Sequence, residues 1–495
     1  MGHWTRRTAL FGAGAAAGAL GYRALRSQNP TLDGTTFTGT GSRDGTLNDA
    51  SLLSETPIHK HIILTEDPGE ALVAAIRSEM KEARENGRPV NISAARHSMG
   101  GQAIPLEGHA IAYDNGRVEP DIANATYRAH AGARWSQVIQ TIDPIGFSPA
   151  VMQSNNDFGV AATFCVNAHG WPVPFGPMGA TVREIEMILP DGELVTCSRE
   201  ANAALFNQTM GGYGLTGAIT AMTVDMEKNT RLEPTFEKMP AGVFHTAFDA
   251  AVKDPAVTMA YGRLNVERGS FFEEALLITY RETDDQSDLP AAAGSGWMSH
   301  VAGRVYRGQL GNERMKSVRW WFETDLGPLV GGGETTRNSL INEPVVTLDD
   351  RDDTRTDILH EYFIGFDRFP DFLEVCRRVI PASYQEFLNV TLRFINTDDE
   401  SWLSYATVPR IAAVMSFSQE MTVRGEADMA RMTRELVDGI TAIGGTYYLP
   451  YRPHPTVAQL ERAYPLAAAF AAAKRAMDPD LLFRNNLWDS YLEQL

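Results

Sequence analysis

The stretch Ala94-Ala95-Arg96-His97-Ser98-Met99-Gly100-Gly101-Gln102 joins a loop of small residues to one nucleophilic imidazole. Small side chains let backbone N–H groups turn inward and close on a pyrophosphate, so that its charge is stabilised without a lysine. We therefore interpret this stretch as a phosphate-binding loop that places the ring of His97 beside whatever the pyrophosphate carries. An ordinary turn with an ordinary loop histidine is the alternative.

Two further stretches of small residues follow along the chain. The first runs from Asn155 to Gly170 and ends in Ala168-His169-Gly170, and the second runs from Gly211 to Thr220. Backbone without large side chains can approach a flat ligand closely. The three stretches together therefore favour a binding site over three unrelated turns.

Side chains that could orient or deprotonate a substrate lie in the C-terminal half. Tyr451-Arg452-Pro453-His454 offers a phenol, a guanidinium and an imidazole, and the pKa of an imidazole suits proton transfer near neutral pH. Arg393, on a strand-like run, could stabilise negative charge that develops in a dry site. The alternatives are a structural ion pair for Arg393 and a structural, proline-locked position for His454.

Hydrophobic periodicity predicts the elements that would position these residues. Residues 67–86 are predicted to form a helix with Leu72, Ile76 and Met80 on its buried face, and a strand follows at residues 89–93. Pro190-Asp191-Gly192 predicts the turn of a hairpin. Beyond residue 230, strands are predicted at 361–366, 390–395 and 412–417, and helices at 370–380 and 427–443.

Composition is typical of a soluble enzyme. With 495 residues, 43% of them hydrophobic, the chain can bury a large core, and two domains are expected. The formal net charge of −18 argues against nucleic acid and anionic membranes, because both attract clustered Lys and Arg. Three widely spaced cysteines exclude a disulfide framework and a four-cysteine zinc site. Only His59-x-His61 would support a metal-dependent hydrolase, so no metal site is predicted.

The N-terminus carries a targeting pattern. Thr5-Arg6-Arg7-Thr8-Ala9-Leu10-Phe11 and the mildly apolar run after it have the twin-arginine layout of bacterial export signals for folded proteins. We expect residues 1–28 to be this signal, either cleaved or kept as a membrane anchor, and the protein to be periplasmic or otherwise exported. Residues 29–54, rich in Thr, Gly, Ser and Asp, are expected to be a solvated linker.

The three small-residue stretches, in this order, resemble the FAD-binding domain of the vanillyl-alcohol-oxidase type, also called the PCMH type. The aldonolactone and alditol oxidase branch is the nearest, because Arg393 and Arg452-Pro453-His454 match its segments. The resemblance implies an α+β fold with a two-subdomain FAD-binding domain at residues 55–230 and an α/β substrate domain at residues 231–440. It also implies that residues 441–495 return to complete the FAD domain.

The same resemblance implies the site residues. His97 matches the histidine that often bonds covalently to the flavin 8α carbon, and Arg393, Tyr451, Arg452 and His454 are the candidate catalytic residues. The implied cofactor-binding residues are Ala94, Ala95, Arg96, His97, Ser98, Gly100, Gly101, Gln102, Asn155, Asp157, Ala161, Ala162, Thr163, Val166, Ala168, His169, Gly170, Gly214, Gly217, Ile219 and Asn485.

This chain departs from the family pattern in three places. Alanine pairs at residues 94–95 and 161–162 replace the usual glycines, and an added methyl group still permits N–H donation at negative φ. Residues 455–457 replace the Trp and the Lys that follow the Arg-Pro-His segment in the lactone and alditol branch. The missing lysine weakens any transfer of sugar-lactone or alditol specificity.

The function that the resemblance implies is a flavin-dependent oxidoreductase. It is expected to oxidise an alcohol, sugar or lactone-type C–H/O–H group of a small molecule by hydride transfer to N5 of FAD. Re-oxidation is expected to use O2 or a periplasmic redox partner, with neither nucleic acid nor a metal involved. The alternatives are a flavoenzyme that oxidises an amine or another CH–NH group, and a flavin-binding protein without turnover.

Overall fold

The computed structural model describes residues 43–294, 305–328, 333–343 and 354–495. These residues combine helices with sheets in an α+β fold, as predicted. The predicted export signal and the first residues of the predicted linker lie outside the described residues. Among the described helices, none has both the length and the apolar character that crossing a membrane requires.

The strands are β1 (Thr46–Leu47), β2 (Thr56–Pro57), β3 (Lys60–Leu64), β4 (Val90–Ser93), β5 (His109–Tyr113), β6 (Val118–Asp121), β7 (Thr126–His130), β8 (Phe147–Pro149), β9 (Val182–Ile188), β10 (Leu194–Ser198), β11 (Ala218–Lys228), β12 (Arg231–Pro240), β13 (Val257–Leu264), β14 (Glu274–Glu282), β15 (Thr335–Thr336), β16 (Arg355–Ile364), β17 (Glu386–Ile395), β18 (Arg410–Glu420) and β19 (Thr446–Tyr447). The α-helices are α1 (Glu70–Glu85), α2 (Trp135–Ile142), α3 (Val160–Cys165), α4 (Ala203–Thr209), α5 (Phe244–Lys253), α6 (Glu313–Trp321), α7 (Arg337–Ile341), α8 (Phe369–Val379), α9 (Val423–Ala442), α10 (Val457–Ala463), α11 (Ala467–Met477) and α12 (Asn486–Ser490).

Strands β3, β5 and β4 form a small parallel sheet. Helix α1 makes the crossover between β3 and β4 that parallel pairing requires, and its apolar face packs on the sheet, as predicted. The C-terminal segment returns to the same sheet, because Val90 N–H donates to Leu482 O at 2.6 Å and Arg484 N–H donates to Val90 O at 3.1 Å. Phe483 is buried in this core.

A second, antiparallel sheet has the strand order β10-β9-β11-β7-β6, with β8 pairing on β11. The predicted hairpin is confirmed, since Leu194 pairs with Ile188 across the turn. Helices α2 and α3 pack into the core of this sheet through Trp135 and Phe164. This packing fixes the loop on each side of α3.

The third sheet has the described strands in the order β15-β12-β14-β13-β17-β18-β16-β19. All of its pairings are antiparallel within the described residues. The α/β arrangement expected for residues 231–440 is therefore replaced here by an antiparallel sheet, on which α5, α8 and α9 pack in one large core. The long strands β16, β17 and β18 carry the residues that face the site described below.

The part of the predicted linker that the structure describes, residues 43–54, is folded rather than solvated. Strand β1 pairs with β2, and the side chains of Asp49 and Ser51 are buried. Asp49 Oδ2 accepts a hydrogen bond of 2.7 Å from Gly101 N–H. A high content of polar residues predicted exposure here, but these polar groups bind the first small-residue loop.

Candidate functional site

A large cavity lies where the three small-residue stretches meet the sheet formed by β16, β17 and β18. The loop after β4, the segment around α3 and the segment that leads into β11 form one side. Leu359 and Glu361 on β16, Arg393 on β17 and Val414 on β18 form the other. Residues far apart in sequence therefore line one space, as the order of the motifs predicted.

Most of the predicted cofactor-binding residues line this cavity. They are Ala94, Ala95, Arg96, His97, Ser98, Gln102, Asn155, Ala161, Ala162, Thr163, Val166, Ala168, His169, Gly214, Gly217 and Ile219. The remaining predicted residues, Gly100, Gly101, Asp157, Gly170 and Asn485, are not among the lining residues.

The residues that do not line the cavity support its walls. A Cβ on Gly170 would lie 2.0 Å from Met152 O, so glycine is required for close backbone packing there. Asn485 donates to Tyr213 O at 2.9 Å, while its Oδ1 caps α12 by accepting from Leu487 and Trp488 N–H. Gly170 and Asn485 therefore hold the lining segments in place, and direct contact of these residues with the cofactor stays a prediction.

The first loop is held in place from both ends of the chain. Gln102 Nε2 donates to Leu449 O at 2.7 Å and to Tyr451 O at 2.9 Å, and Gly101 N–H donates to Asp49. Gly101 has a left-handed φ of 72°, and a Cβ there would lie 2.1 Å from Asn486 Nδ2. Arg96, which precedes the histidine, also adopts positive φ, at 53°. The turn that the family pattern predicted is thus built without the two usual glycines.

The ring of His97 lies in the cavity wall between two residues of the second stretch. It packs on Phe158 with ring centroids 4.4 Å apart, and its Nε2 lies 3.5 Å from Oδ2 of Asp157. Asp157 thus contacts the histidine without lining the cavity itself. The carboxylate of Asp157 thus lies beside one ring nitrogen of a histidine that lines the cavity.

A buried carboxylate lies opposite the loops. Glu361 contacts Nε2 of His169 through Oε1, and it accepts a hydrogen bond of 3.1 Å from the hydroxyl of Tyr451 through Oε2. Only 4% of Glu361 and 4% of His169 is exposed. Burial, together with the negative charge of Glu361, raises the pKa of Tyr451 well above its usual value, so the phenol remains a donor.

Arg393 lies on the neighbouring strand and lines the same cavity. Burial lowers the pKa of its guanidinium, and the negative charge of Glu361 opposes that shift. Its Nε is buried without a hydrogen-bond partner among the described residues, and no ion pair of Arg393 is present among them. The structural ion pair considered as the alternative for Arg393 is therefore absent from the described part of the chain.

The other two candidate catalytic residues, Arg452 and His454, do not line the cavity. Arg452 Nη2 contacts Oε1 of Glu426 at 2.6 Å, and His454 Nε2 contacts the same oxygen at 2.9 Å. Nδ1 of His454 lies 3.2 Å from Oγ1 of Thr433. Burial opposes the ionisation of Glu426, but the hydrogen bond from His454 and the charge of Arg452 hold the pKa of its carboxyl far below its usual value. These residues join α9 to the C-terminal segment outside the cavity, which favours the structural alternative for His454.

The cavity fits a large ligand with both flat and polar parts. Small side chains and apolar rings form much of its lining, which suits a flat ring system. Several lining residues also carry buried polar atoms that have no partner among the described residues: Arg96 Nε, Ser98 Oγ, Tyr113 OH, Gln153 Nε2, His169 Nδ1 and Arg393 Nε. Buried polar groups are normally hydrogen-bonded, so these atoms indicate a polar ligand. The donor set and the small-residue lining fit FAD.

Sequence reasoning missed several lining residues, of which Glu361 is the most important. The strand that contains it was predicted, but its side chain was not selected as a site residue. A signal existed, because the charged residue Glu361 directly precedes the apolar run Tyr362-Phe363-Ile364 on a predicted strand. A carboxylate at such a buried position needs a specific partner or role. Tyr448 and Gln153 gave no such signal.

Within the described part of the chain, one group of metal-ligand side chains lies elsewhere. Glu79, Glu82 and His109 lie close together between α1 and β5. The ammonium of Lys60 already lies 3.0 Å from a carboxylate oxygen of each glutamate. An internal cation therefore occupies part of this cluster and offsets one of its two negative charges.

Comparison with known proteins supports the cofactor. Residues 72–198 match the family described as an FAD binding domain. Cytokinin dehydrogenase 7 of Oryza sativa subsp. japonica is 30% identical over 250 residues, which cover 49% of this chain and 41% of that protein. Alditol oxidase of Streptomyces sp. (strain IKD472 / FERM P-14339) is 30% identical over 147 residues, which cover 29% of this chain and 34% of the oxidase. Cytokinin dehydrogenase 1 of Arabidopsis thaliana is 28% identical over 162 residues, which cover 31% of this chain and 28% of that protein.

The predicted resemblance to FAD-linked oxidases and dehydrogenases is confirmed by these matches, and the alditol oxidase belongs to the predicted branch. The chain spans less than half the length of each of these relatives. The matches therefore support an FAD binding domain of an oxidoreductase and leave the substrate open.

Proposed function

We propose that this protein is an FAD-dependent oxidoreductase that oxidises a hydroxyl-bearing carbon, with Glu361 as the acceptor of the hydroxyl proton. The observation that carries the proposal is the shared cavity: Glu361, Tyr451 and Arg393 line the same space as the loops of the FAD binding domain. FAD, when bound, supplies the hydride acceptor. The residues of this chain supply orientation, proton acceptance and exclusion of water.

Glu361 is suited to accept a proton because its two oxygens are held but not saturated. His169 contacts one oxygen and Tyr451 donates to the other. Each carboxylate oxygen has two lone pairs, so one on each oxygen is left for a substrate hydroxyl. The two partners also fix the orientation of the carboxylate, which a general base needs.

Arg393 is suited to stabilise the substrate oxygen as its proton leaves. Its cationic group lines the cavity, and Leu359 and Val414 provide apolar walls beside it. A fixed positive charge acts strongly where water is excluded. A cation at this position also disfavours a protonated amine, which is why we favour an alcohol, sugar or hydroxy-lactone over an amine.

Oxidation of a CH–NH group is the second candidate. It is favoured by the cytokinin dehydrogenases among the relatives, one of which aligns with 49% of this chain. Glu361 could also accept a proton from a neutral amine. The two candidates differ in the compounds that would bleach the bound flavin.

The test is an anaerobic screen of the purified yellow protein with alcohols, sugars, hydroxy-lactones and amines, read as loss of flavin absorbance. We expect bleaching by a CH–OH donor, and we expect Glu361→Gln to slow it while FAD stays bound. Glu237→Gln is the matched control, because Glu237 is an exposed carboxylate on the same sheet. Bleaching by amines alone would favour the second candidate, and stoichiometric FAD that no compound bleaches would favour a binding protein without turnover.

We also propose that His97 bonds covalently to the 8α carbon of FAD. Support comes from its position in the cavity wall and from Asp157, whose carboxylate lies 3.5 Å from Nε2 of the ring. The new bond would replace one C–H bond of the flavin methyl group, and the two electrons released would leave through the electron acceptor of the enzyme. Yellow colour that stays with acid-precipitated protein, and is released in His97→Ala, is the expected result. Colour released from both proteins would contradict it.

We also propose that the protein is exported by the twin-arginine route. At its destination, O2 or a periplasmic redox partner would re-oxidise the enzyme. Support for export comes from the paired arginines Arg6 and Arg7 with the apolar run after them. Replacing both arginines by lysine should retain the protein in the cytoplasm of a bacterial host. Parallel assays of O2 consumption and of an artificial dye acceptor would separate an oxidase from a dehydrogenase.

A further inference from the structure

A second cavity lies between the second and third sheets. It is separate from the cavity described above, which we call the FAD cavity. Phe147, Val173, Phe175 and Phe394 contribute apolar wall to it. Arg393 and Phe394 are neighbours on β17, so their side chains point to opposite faces of the strand. Accordingly, Arg393 lines the FAD cavity and Phe394 lines the second one.

A buried arginine lines this second cavity. Arg337, at the start of α7, is 5% exposed, and its Nη2 donates to Ala150 O at 2.7 Å. Its Nε is buried without a partner, and no carboxylate forms an ion pair with it, among the described residues. Burial lowers the pKa of Arg337 to about 10, so the group remains charged at neutral pH. Glu227 and Glu282 favour its charged form from a distance, but a buried donor without an acceptor, such as Nε, is costly unless a ligand accepts its hydrogen bond.

A second unpartnered donor lines the same cavity. The hydroxyl of Thr258, on β13, is buried and has no hydrogen-bond partner among the described residues. Arg337 and Thr258 thus offer a cationic and a neutral donor beside an apolar wall. Arginine binds a carboxylate with favourable geometry, and a hydroxyl can donate a further hydrogen bond to a ligand in the same cavity.

The exposed charges around the cavity restrict the charge of the ligand. Glu227 and Glu282 line the cavity and raise the pKa of Arg337, although no ion pair joins them to it among the described residues. Of the other lining charges, Lys253 is paired with Asp249 at 2.6 Å and Asp254 is paired with Arg281 at 2.7 Å, which leaves Lys228 beside the two glutamates. This excess of negative charge around Arg337 disfavours a phosphate or another multiply charged anion.

We propose that the second cavity is a binding site for a small amphipathic carboxylate, whose anionic group binds Arg337 and Thr258 and whose apolar body packs on Phe147, Phe175 and Phe394. The site is separate from the FAD cavity and does not depend on the proposed reaction. Its ligand is neither oxidised nor reduced there.

The test uses the FAD-loaded protein and calorimetric titration with phenylacetate and hexanoate. Their uncharged amides and phenyl phosphate serve as charge controls. We expect saturable binding of the carboxylates with one site per chain, and much weaker binding of the amides and of the phosphate. Arg337→Met should weaken carboxylate binding about tenfold or more, because it removes a charge-assisted hydrogen bond.

Two further variants locate the site and guard against misfolding. Thr258→Val keeps the shape of the side chain and should weaken binding a few-fold even if Arg337→Met does not fold. Arg393→Met is the matched control, because it removes a buried arginine from the other cavity and should leave carboxylate affinity unchanged. The proposal is overturned if no carboxylate binds saturably, if Thr258→Val and Arg337→Met both bind as the wild type does, or if Arg393→Met abolishes binding.

Discussion

Two clusters in this protein contain the same types of side chain but differ in what their polar atoms bind. The cavity cluster consists of Glu361, His169, Tyr451 and Arg393, and the anchor cluster consists of Glu426, Arg452 and His454. Each has a carboxylate, a histidine and an arginine. In the anchor cluster both ring nitrogens of His454 have protein partners. In the cavity cluster, the histidine and the arginine each have a buried nitrogen without a partner among the described residues, His169 Nδ1 and Arg393 Nε, whereas in the anchor cluster this holds for Arg452 Nε alone.

The comparison teaches that residue type alone does not identify a catalytic site. Tyr451 and Arg452 are adjacent in sequence, yet the first faces the cavity and the second binds Glu426 on α9. Protein groups already satisfy most of the hydrogen bonds of the anchor cluster, so it can hold the fold together. The cavity cluster keeps unused donors and acceptors, which a ligand can use.

The largest expected effect comes from breaking the cavity cluster with Glu361→Gln. The amide keeps the size of the side chain but cannot accept the substrate proton, so kcat should fall about 100- to 10,000-fold. The unfolding free energy should change by no more than about 1 kcal/mol, because the amide oxygen can still accept a hydrogen bond. Single-turnover flavin bleaching and chemical denaturation measure the two effects. A variant with wild-type kcat would contradict the role of Glu361 as the proton acceptor.

Much of the fold could be predicted from local signals. The helix at residues 70–85, the hairpin around Pro190-Asp191-Gly192 and three strands of the third sheet, β16, β17 and β18, were predicted from periodicity and turn residues. The antiparallel pairing of the third sheet was not predicted, because the order of elements along the chain does not determine which strands become neighbours. The burial of residues 43–54 was also missed, since their polar side chains bind a loop that lies far along the chain.

The candidate site was predicted unevenly, for a physical reason. The small-residue loops are local patterns, and most of their predicted residues line the cavity. The partners of Glu361 come from the segment after α3 and from the C-terminal segment, so nothing near Glu361 in the sequence indicates them. The type of residue at His454 could be read from the sequence, but its contact with Glu426, which decides its role, could not.

A second prediction breaks the anchor cluster instead. Glu426→Gln leaves the buried guanidinium of Arg452 without its counter-charge, so the unfolding free energy should fall by about 3 kcal/mol. The kcat of the protein that remains folded should stay within about twofold of wild type, because none of the three residues lines the cavity. Thermal unfolding and turnover per bound FAD test both parts. A large loss of kcat with unchanged stability would instead give the anchor cluster a role in the reaction.

The pH dependence of stability sharpens the same test. The pKa of Glu426 is lowered in the folded state, so its contribution is present above the usual carboxyl pKa of about 4.3 and is lost as the pH falls. Burial also lowers the pKa of His360 to about 3, which destabilises the folded state as the pH falls below about 6.5. Wild type should therefore lose stability in acid. The Glu426→Gln variant should lose less stability than wild type below pH 4.3, although its unfolding free energy at neutral pH is already lower.

A smaller effect is expected from Tyr451→Phe, which removes one donor from the cavity cluster. The hydroxyl donates to Glu361 at 3.1 Å, and its loss should lower kcat about tenfold. Because the pKa of Tyr451 is raised well above its usual value, the phenol stays protonated, and kcat should fall equally at every pH. An alkaline limb in the wild-type pH profile that disappears in Tyr451→Phe would instead make Tyr451 an acid or base in the reaction.

The smallest effect is expected from His454→Gln, although the sequence favoured His454 as a proton acceptor. The structure gives its ring two partners, Glu426 and Thr433, and leaves no nitrogen for a substrate. A glutamine can keep one of these hydrogen bonds, so the unfolding free energy should fall by about 1 kcal/mol while kcat stays unchanged. A folded, FAD-loaded variant that loses tenfold or more in kcat would contradict this result. In that case, the distinction between partnered and unpartnered clusters would no longer be sufficient to locate the reaction in this fold.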